Sequence, residues 1–428
     1  MSILNKIKLS QFYYISFLLL PISIILGSFA INLALICIVV FSTILIVREN
    51  KYYLYKKSFF VLSILFCFFI FISSVINFEN SNIFKSIVYF RFPFFALGVI
   101  FFFSYFDSKK IKFFFNFNSF IIIFFLFDYI FQVLTKKNFF GFDARCLNYD
   151  GIIVCDRFGG MFNQELIAGM YILVFGILIL GTNLLIHKKI KLLIPCFILM
   201  GLMIFKSGEK ANFLSFLVFF STYILFHKMN LNFKKISILI IAFSILITGL
   251  LKYDVSINKR YVNFYNQYLA SQEGKSILYK IYSNPWAVHY RGSFEMIKEK
   301  PLLGSGIKSF RKICNNFEYI LTEKENRETD LVVCSTHPHN FYIEVLVETG
   351  LIGFLFFSLI ILKSIKFSFN HNDLLLKFIF CICVSFLFPL KPTGSVFSSL
   401  TATIFWIMVS LPYAYYIYSN NLKKKKYE

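Results

Sequence analysis

The chain has 428 residues, 58% hydrophobic, 20% aromatic and only 15% charged, with 60 phenylalanines; that composition excludes an ordinary soluble domain. A formal net charge of +22 raises nucleic acid as a partner. The basic residues, however, lie between apolar windows long enough to cross a bilayer, so the charge reads as membrane orientation, with membrane lipids and not nucleic acid as the surroundings.

A helix needs roughly 20 apolar residues to cross the hydrocarbon core. In chain order such windows fall near 12–28, 30–47, 58–77, 84–106, 114–134, 166–186, 192–206, 210–226, 236–251, 341–362, 374–390 and 399–417. The expectation is an all-α, polytopic transmembrane helical bundle of about 12 spans. Alternate connections collect Lys6 and Lys8; Arg48, Lys51, Lys56 and Lys57; Lys109, Lys110 and Lys112; Lys188, Lys189 and Lys191; Lys228, Lys234 and Lys235; and Lys423 to Lys426. This asymmetry puts them inside, with both termini cytoplasmic. The apolar stretch from Gln11 to Val47 is too long for a signal h-region and has no A-x-A site, so no cleavage is expected.

Cys37, Cys67, Cys196, Cys381 and Cys383 fall inside spans, where a thiol behaves as a small hydrophobe. Cys146 and Cys155 share the loop 135–165, and Cys314 and Cys334 share the long loop 252–340. In this topology both loops face a periplasm, where two disulfides fit; four free thiols are the alternative. The division expected is a bundle of nine spans over 1–251, a periplasmic loop domain over 252–340 between spans 9 and 10, and spans 10–12 with a basic tail over 341–428. Within the loop, Val288 to Lys300 reads as a helix that Pro301 ends, with Arg291 and Glu295 on one face. A tight turn at Gly304 and Gly306 in PLLGSG follows, and Thr322 to Asp330 is a charged stretch.

Charges near membrane depth cost about 2.5–3.5 kcal/mol at a helix centre, so each is a candidate for function. Arg91 lies in YFRFPFF ahead of Pro93, a kink site; it either snorkels or binds a ligand. Arg157 stands in DRFGGMFNQELIAGMY, where Gly159 and Gly160 allow close backbone approach and Glu165 sits where the sixth span begins, as a ligand group or a helix cap. The hairpin KSGEKANF brings Lys206, Glu209 and Lys210 to the bundle mouth, paired with one another or holding phosphate.

His187, His227 and His371 fall in inner loops, and His289, His337 and His339 in the outer loop. A neutral imidazole can take a proton from a sugar hydroxyl. The pair His337 and His339 can also bind a metal, although no third ligand has recognisable spacing, or can cap the next helix with Asn340. Glu344 and Glu348, four apart, either orient His339 and bind acceptor hydroxyls or form a solvated first turn. Arg91, Arg157, Lys210 and Arg291 can together hold a lipid pyrophosphate and stabilise the charge on it as it leaves. A glycosyl transfer without metal or other cofactor is the chemistry such a set supports.

HPHNFYIEVLVETGLIG (His337 to Gly353), preceded by HYRGSFEMIKEKPLLGSGIKSFR (His289 to Arg311), resembles the bacterial O-antigen ligase and polymerase superfamily. RFGGMFNQELIAGMY and SGEKANFL resemble family segments as well, whereas the first five spans match only in character. The resemblance implies an inner-membrane glycosyltransferase with undecaprenyl-pyrophosphate-linked glycan as its donor. It implies His339 as the base, with His337 in reserve, and Arg157 and Arg291 on the pyrophosphate. Lys210 stands where an arginine is common, and so keeps the charge without the fork. The mechanism implied is a single displacement with inversion.

Ligation to lipid A core is expected ahead of repeat-unit polymerisation onto a second lipid-linked glycan, and both ahead of transfer to protein. From another class, a lipid-linked glycan flippase or transporter also has about twelve spans, but it predicts repeated halves and broken helices near the midplane.

Overall fold

The computed structural model describes residues 3–149, 152–163, 165, 167–226, 245, 247–265, 276, 285–320 and 333–424. Most of the expected span 236–251, with His227, Lys228, Lys234 and Lys235, the stretch Thr322 to Asp330, and Lys425 and Lys426 lie outside the described residues. The chain is mostly helical. In order it forms α1 (Ile3–Leu18), α2 (Leu20–Ile25), α3 (Ser28–Arg48), α4 (Ser58–Ile76), α5 (Ile83–Tyr89), α6 (Arg91–Tyr105) and α7 (Ser108–Thr135). A hairpin of β1 (Arg145–Tyr149) and β2 (Ile152–Arg157) follows. Then come α8 (Ala168–Ile186), α9 (Leu193–Lys206), α10 (Lys210–Phe226), α11 (Val255–Tyr265), α12 (Pro285–Glu299), α13 (Phe310–Ile313), α14 (Phe341–Phe369), α15 (Leu374–Phe386) and α16 (Ser399–Lys424).

Among the described residues, seven helical segments are long and apolar enough to cross a membrane: Ser28–Arg48, Ser58–Ile76, Ile83–Tyr105, Ser108–Thr135, Ala168–Ile186, Phe341–Phe369 and Ser399–Asn420, with Lys210–Phe226 and Leu374–Phe386 shorter. Two of the expected windows are divided in the structure. The first window divides between α1 and α2, where Pro21 occupies the first turn of α2, a position that needs no N–H partner. Ile83–Tyr105 changes course at Phe90, three residues before Pro93, whose ring would clash with the preceding turn in a continuous helix. The all-α expectation also needs a correction. Arg145–Tyr149 and Ile152–Arg157 pair as antiparallel strands, with Cys146 opposite Cys155 and disulfide-bonded to it. Cys314 and Cys334 form a second disulfide.

The chain divides into two compact units, and the stretch 252–340 is shared between them. The first comprises Met1–Asp107, Ser276–His371 and Pro389–Glu428. Its helices approach through small residues, as lipid-embedded helices do. A Cβ on Gly98 of α6 would lie 3.1 Å from Ile38 and Ser42 of α3, and Tyr13 of α1 donates its hydroxyl to the Gly98 carbonyl at 2.6 Å. Phe69 of α4 stacks on Phe356 of α14 with ring centroids 5.1 Å apart. Val288 and Met296 of α12, Phe310, Cys314, Phe317 and Val333 bury themselves against Val347 of α14, so the residues before α14 share an apolar core with it.

Within this unit PLLGSG meets VETGLIG. Gly350 interrupts α14 with φ 66° and ψ −172°, which no ordinary helix residue adopts. The break is repaired from outside the helix. Ser305 and Gly306 donate backbone N–H groups to the carbonyls of Val347 and Glu348, both at 2.9 Å. Leu351 and Ile352 donate to the carbonyls of Pro301 and Leu302 at 2.8 and 3.3 Å. Ser73 of α4 adds its hydroxyl to the Glu348 carbonyl at 2.8 Å, and Asn77 donates its amide to Gly304 at 3.0 Å. The approach leaves no room for side chains at the crossing. A Cβ on Gly350 would lie 2.2 Å from the Leu302 oxygen, and one on Gly304 2.5 Å from the Gly350 nitrogen.

The second unit comprises Ser108–Lys275 and Asn372–Phe388. Here too glycines admit rings: a Cβ on Gly181 would lie 2.3 Å from Phe378, and one on Gly201 2.2 Å from Phe216. The loop after α7 is tied back to that helix. Asp128 accepts the Phe139 N–H at 2.9 Å and the Asn138 amide at 3.2 Å, while Gln132 accepts the Gly160 N–H at 2.8 Å.

Two outcomes follow. Gly350→Ala and Gly304→Ala each combine a positive φ, costing about 1–2 kcal/mol for alanine, with a backbone clash. Each should therefore lower the midpoint of thermal unfolding in detergent, and an unchanged midpoint in both would refute the interlock. A maleimide should label Cys146, Cys155, Cys314 and Cys334 only after reduction; labelling of the unreduced protein at these sites would contradict both bridges.

Candidate functional site

Each unit gathers its own cluster of polar side chains. In the first unit three imidazoles converge at the start of α14. Asn340 caps the helix, its side-chain oxygen accepting the N–H groups of Tyr342 and Ile343 at 3.0 and 3.3 Å, and its amide donates to the Pro389 carbonyl at 2.8 Å. Capping therefore falls to Asn340 and leaves the histidines free for other work. His339 just before it has φ 55°. Its ring centroid lies 4.3 Å from that of His337 and 5.5 Å from that of His289 on α12.

The hydrogen bonds distinguish the three rings. His337 directs Nε2 at the Thr393 carbonyl, 3.1 Å away, and Nδ1 at the Thr336 hydroxyl, 2.9 Å away. A carbonyl only accepts, so Nε2 carries the proton and Nδ1 accepts; both nitrogens are committed. By the same argument His289 donates Nδ1–H to Val333 at 2.8 Å. His339 has Ser335 Oγ at 3.1 Å from Nε2, and a hydroxyl takes either role, so one nitrogen of His339 stays available within the described residues. Burial, then the neighbouring His339, pushes His337 down to about 4. Burial, then His289, holds His339 below the ordinary imidazole value, and burial alone holds His289 down against the Val333 carbonyl. All three are neutral at pH 7, as a base must be. No group of three or more His, Cys, Asp or Glu side chains among the described residues is arranged to hold a metal ion.

Glu344 and Glu348 are fully buried, which removes the reading of a solvated first turn. Glu344 accepts the Ser395 hydroxyl and the Val396 N–H, the latter at 2.8 Å, and its Oε1 lies 3.7 Å from Lys308 Nζ. Glu348 accepts the Lys308 N–H at 2.7 Å, and Lys308 Nζ also donates to Ser395. The two carboxylates thus hold the turn 304–308 and the segment around Ser395 against α14; their hydrogen bonds go to those segments and not to His339. Arg291 is half-buried on α12, two residues after His289. Arg91 donates to Asn32 at 2.7 Å and Ser399 at 3.3 Å and lies over the Phe92 ring, so it joins α3, α6 and α16.

In the second unit Arg157, at the end of β2, Arg260 on α11 and Lys210 at the start of α10 lie within electrostatic reach of one another. Arg260 donates Nε–H to the Gly208 carbonyl at 3.1 Å, with Nη1 3.7 Å from Asp156. Gly208, φ 75°, admits this packing: a Cβ there would lie 2.7 Å from the Asp156 carbonyl and 3.2 Å from Arg157. Burial, then the charge of Arg260, holds Arg157 below its ordinary value, and its Nε is buried with no hydrogen-bond partner among the described residues. A buried cation with a spare donor beside a second cation is suited to a ligand carrying more than one negative charge.

Glu209 receives the N–H groups of Gly169 and Met170 in the first turn of α8 at 2.6 and 3.2 Å, and burial raises it to about 7. The carboxylate at that helix start is therefore Glu209. Glu165, expected there, is exposed and precedes the helix. Lys206 pairs with Asp254 and Ser256, not with Glu209.

Sequence reasoning missed four groups. Arg260 sits in NKRYVNFY, a helical stretch of a loop where no motif marked it. His289 was visible as an outer histidine, but nothing local tied it to His339, fifty positions away. Thr393 lies beyond the family-like motifs. Asp128 carried a readable signal, a carboxylate in the apolar run FFLFDYIF.

Residues 195–358 match the family model described as O-Antigen ligase. A search of curated proteins finds none that matches the chain. The matched stretch contains Lys210, Arg260, the three clustered histidines and both buried glutamates, and lies in a chain with multiple membrane-crossing helices. Residues 195–358 are thus similar to the O-antigen ligase family, the resemblance that the His337 to Gly353 motif implied.

Proposed function

We propose that the chain is an inner-membrane glycosyltransferase with cytoplasmic termini that moves a glycan from undecaprenyl pyrophosphate to an acceptor on the periplasmic side, joining O-antigen to lipid A core. The observation that carries this reading is the division of labour among the imidazoles: His337 is bonded at both nitrogens, while neutral His339 keeps one for a substrate. His339 takes the proton of the acceptor hydroxyl. The acceptor oxygen attacks the anomeric carbon, the bond to the diphosphate oxygen breaks with inversion, and undecaprenyl pyrophosphate leaves with the bonding electrons. Arg291 answers the charge on that leaving group from α12, and the second unit's Arg157, Lys210 and Arg260 form their own cationic cluster suited to a diphosphate, the guanidinium forks more specifically than the lysine. Arg91, bonded between helices, serves the scaffold.

Reconstitution with a lipid-linked glycan and either lipid A core or a second lipid-linked glycan tests the reading. Product on lipid A core supports ligation, and chain extension alone makes the protein a polymerase. His339→Asn, a side chain that tolerates the same backbone, should lower kcat by about 100-fold or more, the usual contribution of a positioned base, with the thermal midpoint unchanged. Because His339 is held below the ordinary value of about 6.5, the acid limb of kcat/KM should fall below that pH, activity being lost as the imidazole gains its proton; a limb above it would discard His339 as the base.

Arg157→Ala and Arg260→Ala should each reduce kcat/KM for the lipid-linked glycan by about 10- to 100-fold, the equivalent of a charged hydrogen bond worth about 1.5–3 kcal/mol. Unchanged kinetics in both variants would remove this cluster from the diphosphate.

A further inference from the structure

The segment between α15 and α16, Pro389 to Val396, lies outside the matched residues 195–358, yet it hydrogen-bonds the ring of His337 and the backbone of His339 and Phe341. Thr393 alone makes three. Its N–H donates to the His339 carbonyl at 2.7 Å, its carbonyl accepts from His337 Nε2 at 3.1 Å, and its hydroxyl oxygen accepts the Phe341 N–H at 2.8 Å. The residues around it are anchored in turn. The Pro389 carbonyl accepts from Asn340, Ser395 and Val396 bind Glu344, and the Val396 carbonyl accepts the Tyr89 hydroxyl at 3.2 Å.

We infer that Thr393 is a positioning residue for the histidine pair, and that the 389–396 segment is the template on which His337 and His339 take their shape. The inference deepens the proposed transfer reaction and rests on it for its catalytic consequence. The argument is geometric. His339 has a left-handed backbone, φ 55°, which persists only when neighbouring bonds over-determine it. Two of those bonds run to Thr393: its N–H on the residue's own carbonyl, and its hydroxyl on the N–H two residues later. The third holds His337 in one tautomer, so that His339 packs against a neutral ring. The groups that bear on the titration are His289 of α12 and Lys308 and Arg311 between α12 and the bridge at Cys314, while Arg291 of α12, Glu344 of α14 and Lys391 of the segment itself are the other titratable side chains on these elements.

The test compares Thr393→Val, which keeps volume but loses the hydroxyl acceptor, with Thr393→Ser, which keeps the acceptor, in the full-length protein. One readout needs no substrate: the pH dependence of carbethoxylation of His339 by diethyl pyrocarbonate, located by mass spectrometry. Thr393→Val should admit water, react at least threefold faster and shift its midpoint upward toward the ordinary imidazole value; Thr393→Ser should follow the unaltered protein. In the transfer assay Thr393→Val should lower kcat at least tenfold, with KM for the lipid-linked glycan within twofold, and move the acid limb up. Identical histidine titration in the two variants overturns the inference whatever the assay shows. A clear difference in titration without any turnover by the unaltered protein sustains the positioning and sinks the transfer reading.

Discussion

A break in a membrane helix is tolerable only when the backbone groups it frees find partners, since no water is at hand to serve them. In α14 those partners arrive from the segment that precedes the helix in sequence. Pro301 to Gly306 supply both donors and acceptors to the interruption at Gly350, and each such group left unpaired would cost about 1–3 kcal/mol. The arrangement fixes where the chain runs next. Lys308 comes to rest between Glu344 and Ser395, and the shared apolar core of α12 and α14 settles beside it. The imidazoles thus stand on a foundation that begins with two glycines passing each other too closely for any side chain.

Two carboxylates and an ammonium sealed away from water add less stability than their closeness suggests, because desolvation offsets much of the attraction. Their contribution here is registry. Only one placement of the turn and of the Ser395 segment satisfies Glu344 and Glu348 together, and a slip in either would strand a buried charge. The second unit uses a related economy: Glu209 closes the first turn of α8 while its neighbourhood stays net cationic through Arg157, Arg260 and Lys210.

Much of this was legible in the sequence where the cause is local. Seven of the apolar runs long enough to span, the helix ending at Pro301, the tight PLLGSG turn and the cap at Asn340 all follow from adjacent residues and appear in the structure. The strand pair Arg145–Tyr149 and Ile152–Arg157 was missed although the Asp-Gly dipeptide between the two strands in sequence is a known signal. What could not be read depends on partners far away in the chain. Glu344 looked like a surface residue in a first turn because Ser395 and Lys308 are 51 and 36 positions from it. Glu165 looked like the carboxylate at a helix start because Glu209, which fills that place, is 40 positions beyond Gly169.

The left-handed backbone at His339 narrows what a lineage could place there. Asparagine, aspartate and glycine tolerate that region as histidine does, whereas branched and bulky side chains do not. Of the tolerant set only histidine offers a base that ordinarily exchanges its proton close to neutrality. Drift toward tyrosine would set a bulky ring in that region, and lysine, which takes the same region at Lys136, Lys188 and Lys308, would arrive with its amine protonated, so conformation and chemistry together act as a single evolutionary lock.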